Sequence, residues 1–182
     1  LGAEYREEKA NALADPISQV NGFWAGNFKN FTGKYDVKEA FAEIGVPVFK
    51  DSSLGRGLDL NFAGRLTDYS TSGSVVTWKA GFRYEAVDGL VLRLTRSRDV
   101  RAPNLQELFQ PGVVGNQGIR DPFINADTRV TQTVSGNLNL KPEKADTLTA
   151  GVVFTPAFAP SLKVSIDYYN IDIDQAIATN SS

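Results

Sequence analysis

Apolar and polar side chains alternate strictly along two neighbouring stretches of this sequence, which are separated by one tight turn. In residues 75–86 the apolar positions are Val76, Trp78, Ala80, Phe82 and Tyr84. In residues 90–100 the leucines at every second position continue the same face. A period of two is that of a β-strand and not of a helix. The pattern therefore predicts a hairpin of two long antiparallel strands.

The length of the turn follows from matching the faces of the two strands. Opposed residues share a face, and a slip of one residue moves every side chain to the wrong side of the sheet. Pairing Tyr84 with Leu92 requires an odd number of turn residues. A three-residue loop, Val87-Asp88-Gly89 with Gly89 in the left-handed region, meets this condition, and so does a five-residue loop.

The same alternation recurs along the chain, and we predict an all-β, antiparallel up-and-down sheet of about seven strands. The five further strands are expected at 2–8, 35–48, 57–67, 145–155 and 161–172. Across the turn at 155–160, Phe154 is predicted to pair with Leu162. In the strand at 35–48 the alternation, with Val37 and Phe41 among its apolar positions, is less clean.

The connections between these strands differ in length in a regular way. Two long segments, 9–34 and 101–144, are rich in Gly, Pro and Asn and are predicted to be irregular. Because long connections occur only at alternate positions, they are expected at one end of the sheet, with the short turns at the other end. Within the second segment, Asn104 followed by Glu107 at the third position predicts a capped helical turn.

Composition argues against several classes of function. The chain has no Cys and no His, which removes disulfides, thiolate metal sites and His-based catalytic triads. The net charge of −2 provides no basic field for nucleic acid. No apolar run approaches the roughly 20 residues of a membrane helix. Because the chain has no initiator Met and ends in the polar residues 180–182, we expect a fragment of a longer protein.

Strand length and charge indicate which face of the sheet meets water. The longer predicted strands match the roughly 9–11 residues that cross a bilayer at a tilt. A cation facing lipid at the bilayer midplane costs about 2–4 kcal/mol. The charged face is therefore predicted to be the wall of a water-filled lumen in a transmembrane barrel, and its members are Arg65, Lys79, Arg83, Glu85 and Arg93.

Two other classes stay open on the residues alone. A soluble all-β carbohydrate-binding module would use Trp24 and the neighbouring aromatic residues, and it would bury Trp78. A glycoside hydrolase would need a carboxylate pair such as Asp59 with Glu85. Without a stronger catalytic constellation, we expect a protein that is not an enzyme and needs no cofactor.

Several segments resemble the TonB-dependent outer-membrane receptors. Residues 92–109 read LRLTRSRDVRAPNLQELF and resemble the strand and RAP-x-x-x-EL segment of that family. Residues 136–147, GNLNLKPEKADT, are similar to its GN-x-x-LKPE-x-x-x-T return into the next strand. Residues 164–171, VSIDYYNI, are similar to its DYY-x-I strand, and residues 35–43 look like another barrel strand.

This resemblance implies a barrel of about 22 strands in the outer membrane of a Gram-negative cell, plugged by an N-terminal domain. It implies a receptor that binds a scarce iron–siderophore or oligosaccharide ligand and imports it with energy from the TonB complex. Residues 1–182 would then be part of the barrel domain, without the plug, the TonB box or the barrel termini. The implied partners are outer-membrane lipid, the plug, the TonB complex and the ligand.

Candidate ligand contacts lie in the two long segments, because loops on a rigid scaffold often carry binding. Aromatic side chains provide stacking surfaces, and arginines provide charged contacts. The candidates are Phe23, Trp24, Phe28, Phe31, Arg101, Phe109, Arg120, Phe123 and Arg129. The alternative is that these side chains pack the loops onto themselves, and that Arg101-Ala102-Pro103 only ends a strand, because Pro103 keeps Ala102 extended.

Overall fold

A computed structural model describes residues 1–159 and 161–179 of the chain. Pro160, at the end of the predicted turn, and the polar residues 180–182 lie outside these residues. In chain order the elements are β1 (Gly2–Ala12), α1 (Pro16–Gln19), β2 (Phe31–Ser52), β3 (Gly55–Tyr69), β4 (Gly73–Val87), β5 (Leu90–Arg101), α2 (Leu105–Phe109), β6 (Val113–Asp121), β7 (Ala126–Val134), β8 (Glu143–Phe154) and β9 (Val164–Asp174).

Seven strands form one antiparallel sheet in the order β1-β2-β3-β4-β5-β8-β9. The sheet is open, and β1 and β9 are its edges. Its long connections, 13–30 and 102–142, leave from one end, as the sequence predicted, but the short turn 70–72 between β3 and β4 lies at that end too. The other three connections are short and lie at the opposite end. None of the helices in the described part of the chain is long and apolar enough to span a membrane.

The β4–β5 hairpin has the predicted register. Tyr84 pairs with Leu92, and Gly89 has a φ of 79°, in the left-handed region. A register shift between Glu85 and Val87 adds one residue to β4. That bulge keeps the two faces in phase around the short Asp88-Gly89 turn.

The predicted pairing of Phe154 with Leu162 is wrong, because Phe154 pairs with Val164. Two successive turns lie between the strands. The Ala159 amide donates to the Pro156 carbonyl, and the Leu162 amide donates to the Ala159 carbonyl. Leu162 is therefore part of a turn, and β9 begins two residues later with its faces still matched.

The long segments contain more regular structure than the sequence indicated. Both β1 and β2 extend past the predicted limits, so the first long connection is 13–30 and not 9–34. The segment 101–144, expected to be irregular, contains α2 and a separate two-stranded sheet of β6 and β7. This hairpin was missed because polar residues and glycines interrupt its apolar positions, Val113, Ile119, Val130 and Val134, which leaves only a weak alternation to detect.

The apolar face of the large sheet is uncovered within the described residues. Val76, Trp78 and Ile166 are 55%, 36% and 71% exposed, respectively. No second sheet or helix packs on this face in that part of the chain, so the structure is not a sandwich with Trp78 in its interior. A large continuous apolar surface of this kind marks a binding or membrane surface.

The small buried core lies on the charged face, at the end of the long connections. Tyr35, Val37, Tyr69 and Val75 form its floor, and Leu108 of α2 covers them at 2% exposed. Val37 and Phe41 of the strand predicted at 35–48 thus face the charged side, and the Arg65 guanidinium lies 4.9 Å from the centre of the Phe41 ring. Ile44 and Val46 of the same strand lie on the apolar face, opposite Phe62 and Leu60. Alternation is weak in this strand because α2 gives its charged face a local apolar partner.

Candidate ligand site at the long-loop end

Arg101 fastens both ends of the segment 102–142. Its Nε and Nη2 donate to the two carboxylate oxygens of Glu143 at 2.7 and 2.9 Å. Its Nη1 donates to both oxygens of Glu107 in α2 at 3.0 and 3.1 Å. The predicted capping box is present, since the Asn104 side chain accepts from the Glu107 amide and Glu107 accepts from the Asn104 amide.

These contacts change the acidity of Glu143. Hydrogen bonds from Arg101, and one from the backbone amide of Ile177, hold the pKa of Glu143 at about 2, below its ordinary value of 4.5. On the opposite face of the same strand ends, Arg98 forms a bidentate ion pair with Asp146 at 2.8 and 2.6 Å. This part of β5 and β8 therefore lies beyond the apolar stretch, which ends at Leu94.

The first long connection docks onto the β6–β7 hairpin. Asn27 is 2% exposed, and its backbone forms a bridge with that of Val114 in β6. Its side-chain amide donates to the carbonyls of Phe23 and Val114 at 2.8 and 3.1 Å. The Asn116 side chain donates to the Trp24 carbonyl at 3.0 Å. The two long connections therefore form one unit.

An aromatic–cation contact joins the same two segments. The Arg129 guanidinium in β7 lies 4.8 Å from the centre of the Trp24 ring. Both residues are sequence-predicted candidates, and they come from positions far apart in the chain. The contact is solvent-exposed, because Trp24 is 61% exposed.

A cavity of about 480 Å³ lies between the first long connection, the end of α2 and the start of β6. Its apolar wall includes Phe28 and Phe31, two of the predicted candidates. Its polar wall includes Gln106 and Gln110. Phe31 pairs with Ala12 on the charged face of the sheet, so the cavity opens on that side. Its volume is within the range of small-molecule sites.

A second cavity, of about 720 Å³, lies on the other side of α2. It shares Gln106 and Gln110 with the first cavity, and it is bounded by the end of β7 and the segment after β9. Its lining also includes the amide side chains of Gln132 and Asn137.

The remaining candidates lie away from these cavities. Phe23 is 45% exposed, beside the Asn27 bridge. Phe109 packs against the buried core. Arg120 donates to the side-chain carbonyl of Asn125, and Phe123 is 95% exposed near the tip of the β6–β7 hairpin. The Arg101 guanidinium is engaged by the carboxylates of Glu143 and Glu107, which favours a structural role. Ligand contact by Arg101 stays a prediction.

The side-chain amides of Gln106 and Gln110 were not among the predicted site residues. The helical turn after Asn104 was predicted, but no role was assigned to these two glutamines. Their spacing of four residues places both on one side of that turn, away from Leu108. This spacing was a readable signal, although an isolated pair of glutamines carries little weight without the cavities beside it.

The charged face carries cross-strand ion pairs at most of the predicted wall positions. Arg65 binds Glu39 at 3.0 Å, and Arg93 binds Asp167 at 2.6 Å. Arg83 lies 3.0 Å from Glu85 and 3.8 Å from Asp59, so the carboxylate pair considered for hydrolysis shares a cation. Lys79 lies on this face, opposite Ala63 and Ser97.

A family model described as "TonB dependent receptor-like, beta-barrel" matches residues 1–182 of the chain. The chain belongs to the TonB-dependent receptor family. The sequence resemblance and the all-β fold class are therefore confirmed. Members of this family are receptors and transporters and not enzymes, and their barrels reside in the outer membrane.

One solved structure shows the same fold as this TonB-dependent receptor barrel. The crystal structure of the siderophore receptor PirA from Acinetobacter baumannii matches with a TM-score of 0.66 and 21% sequence identity. The match covers 94% of the present chain and 23% of PirA, so the chain spans about a quarter of that receptor. No curated protein matches the chain.

Proposed function

We propose that this chain is part of the barrel of a longer TonB-dependent receptor in the outer membrane of a Gram-negative cell. The receptor binds a scarce iron–siderophore or oligosaccharide ligand at the outer mouth and imports it with energy from the TonB complex. Its partners are outer-membrane lipid, its own plug domain, the TonB complex and the small ligand.

The uncovered apolar face is the observation that carries this proposal. No second layer of the described residues covers Val76, Ile166 and the other apolar residues of that face. The opposite face carries cross-strand ion pairs. In a bilayer the apolar face meets hydrocarbon and the ion pairs line a wet lumen, which satisfies both. The plug would occupy the lumen against the charged face.

The long-loop end supports the location of the ligand site. The cavities and the Trp24–Arg129 contact lie at the end with the long connections, which in such barrels is the outer end. We propose Phe28, Phe31, Trp24 and Arg129 as the aromatic and charged contacts nearest the ligand.

Fluorescence quenching tests the membrane placement. In the full-length receptor, freed of any other cysteine and reconstituted in vesicles, a bimane probe is attached at Leu94→Cys or at Thr95→Cys. Brominated lipid should quench the probe at 94 and leave the adjacent, lumenal probe at 95 bright. Equal quenching at both sites, or a full-length protein that stays monomeric without detergent, would overturn the proposal.

A soluble carbohydrate-binding module, the alternative on the residues alone, would use exposed Trp24 as a stacking surface, but the family match disfavours it. It requires a cover for the apolar face from another part of the protein. The same experiment separates the two, since a probe at 94 would then be buried in protein and out of reach of lipid.

A further inference from the structure

We propose that the ligand of the two cavities beside α2 is a neutral, hydroxyl-rich molecule of the oligosaccharide class. This inference rests on the proposed outer-mouth binding site and deepens it by choosing between its two ligand classes. It follows from a difference between the polar side chains that line the cavities. Some already form hydrogen bonds within the chain, and others are free to bind a ligand.

The charged side chains that line the cavities are committed to the protein itself. Asp15 caps α1 by accepting from the amides of Ile17 and Ser18 at 2.9 and 3.0 Å. Lys29 donates to two backbone carbonyls and to the Asn21 side chain. Glu107 is held by Arg101 and by the Asn104 amide. Lys29 is the cation among these three side chains, so an anionic chelate would have to displace one of its internal partners to gain a counter-ion.

Three of the amide side chains that line the cavities are free by contrast, whereas Asn104 and Asn137 accept from backbone amides. None of the hydrogen bonds within residues 1–159 and 161–179 uses the side-chain amides of Gln106, Gln110 or Gln132. An amide offers two N–H donors and a carbonyl acceptor, and a hydroxyl is both a donor and an acceptor. Free amides therefore suit a ligand that presents many hydroxyls and no net charge.

The overall charge of the two long connections agrees with this choice. Residues 13–30 contain one Lys and one Asp, and residues 102–142 contain three basic and three acidic side chains. The second segment also contains nine Asn and Gln residues. These two connections thus have no net positive charge to attract an anionic iron chelate over distance.

The arrangement of the cavities suits an extended ligand. One cavity provides the aromatic walls of Phe28 and Phe31, on which the apolar C–H face of a sugar ring can stack. The other is lined mainly by polar side chains. Gln106 and Gln110 line both cavities, so they would contact the ligand where it passes over α2.

Isothermal titration of the full-length receptor in detergent tests the ligand class. The probes are neutral maltohexaose, cellohexaose and xylohexaose, and one trianionic ferric tris-catecholate chelate. At least one hexasaccharide should bind, and Gln106→Ala and Gln110→Ala should each weaken it about three- to tenfold, the value of a neutral hydrogen bond. Gln117→Ala is the matched control, because Gln117 is an exposed amide on β6 outside both cavities, and it should change nothing.

Binding of the chelate and of no hexasaccharide, with the same sensitivity to Gln106→Ala, would overturn the ligand class and leave the proposed receptor site standing. Absence of any hexasaccharide binding overturns the class as well. Equal loss of hexasaccharide affinity in all three variants would show that Gln106 and Gln110 do not contact the ligand, which would also overturn the proposal. A failure of the receptor assignment is seen separately, in the lipid-quenching experiment.

Discussion

Arg101 and Glu143 are 42 residues apart in the chain, and they close the longest connection of the sheet with a bidentate ion pair. The same guanidinium binds Glu107, so one side chain fixes the start of the segment, its helix and its return. A planar fork can satisfy two carboxylates in this way, whereas an ammonium acts as a point charge.

Replacing Arg101 by Lys should loosen the segment 102–142 without unfolding the sheet. The charge is kept and the fork is lost, and because Arg101 is half exposed we expect a cost of about 1 kcal/mol. Hydrogen exchange of α2 in the full-length receptor should then accelerate roughly fivefold. Lys141→Ala, which removes a neighbouring exposed cation, is the control. Unchanged exchange in Arg101→Lys would show that the fork does not hold the segment.

Acid should release the same contact. Because the pKa of Glu143 is lowered to about 2 from 4.5, its ionised form stabilises the folded segment. That stabilisation is complete above about pH 4.5 and is lost as the pH falls through about 2. Pepsin cleavage within 102–142, normalised to cleavage of an unstructured peptide, should rise over this window. Glu143→Gln should remove this pH dependence, and an identical profile in that variant would contradict the assignment.

The sheet was predictable because one physical rule governs most of it. Each strand with one wet and one apolar face shows strict alternation, and face matching then determines the register, as at Tyr84 and Leu92. The rule fails where both faces are wet. That is the situation of β6 and β7, and of the outer ends of β1 and β2 at 9–12 and 31–34, which lay outside the predicted strands.

The candidate site was only partly predictable. Aromatic residues in the predicted loop 9–34 pointed to Phe28 and Phe31, which do line a cavity. The side on which α2 packs was not readable, because Leu105, Leu108 and Phe109 suit a lipid surface and a protein core equally well. Unless the packing of α2 is known, the sequence offers no reason to select Gln106 and Gln110 as ligand contacts.

The packing of Leu108 yields a prediction for local stability. Leu108 is 2% exposed against Tyr35, Val37, Tyr69 and Val75, so Leu108→Ala leaves a cavity and should cost about 2–5 kcal/mol. The loss should appear as faster hydrogen exchange in α2 and at the cavities beside it. Leu138→Ala, which truncates a leucine that is 59% exposed in the same segment, should have no effect. Equal exchange in both variants would show that α2 does not depend on this core.

The contact between Trp24 and Arg129 couples the two long connections. An exposed cation–π pair is worth about 0.5–1 kcal/mol, so a double-mutant cycle of Trp24→Ala and Arg129→Ala should give a coupling energy of that size. Hydrogen exchange around Asn27 provides the measurement, since that residue is buried between the connections. Additive effects would mean that the ring and the guanidinium do not stabilise the docking.

The two faces of the sheet should respond oppositely to the same new charge. Val152 points to the apolar face, opposite Leu92 and Ile166, and Val153 points to the charged face, opposite Val91 and Ser165. In a bilayer Val152→Arg places a cation in hydrocarbon at a cost of about 2–4 kcal/mol, whereas Val153→Arg enters the wet lumen at far lower cost. The urea midpoint for folding of the full-length receptor into vesicles, followed by heat-modifiable gel migration, should fall for Val152→Arg only. The two substitutions start from the same residue type at adjacent positions, so the comparison isolates direction. A larger loss for Val153→Arg would place the charged face against hydrocarbon and reverse the assignment of the two surfaces.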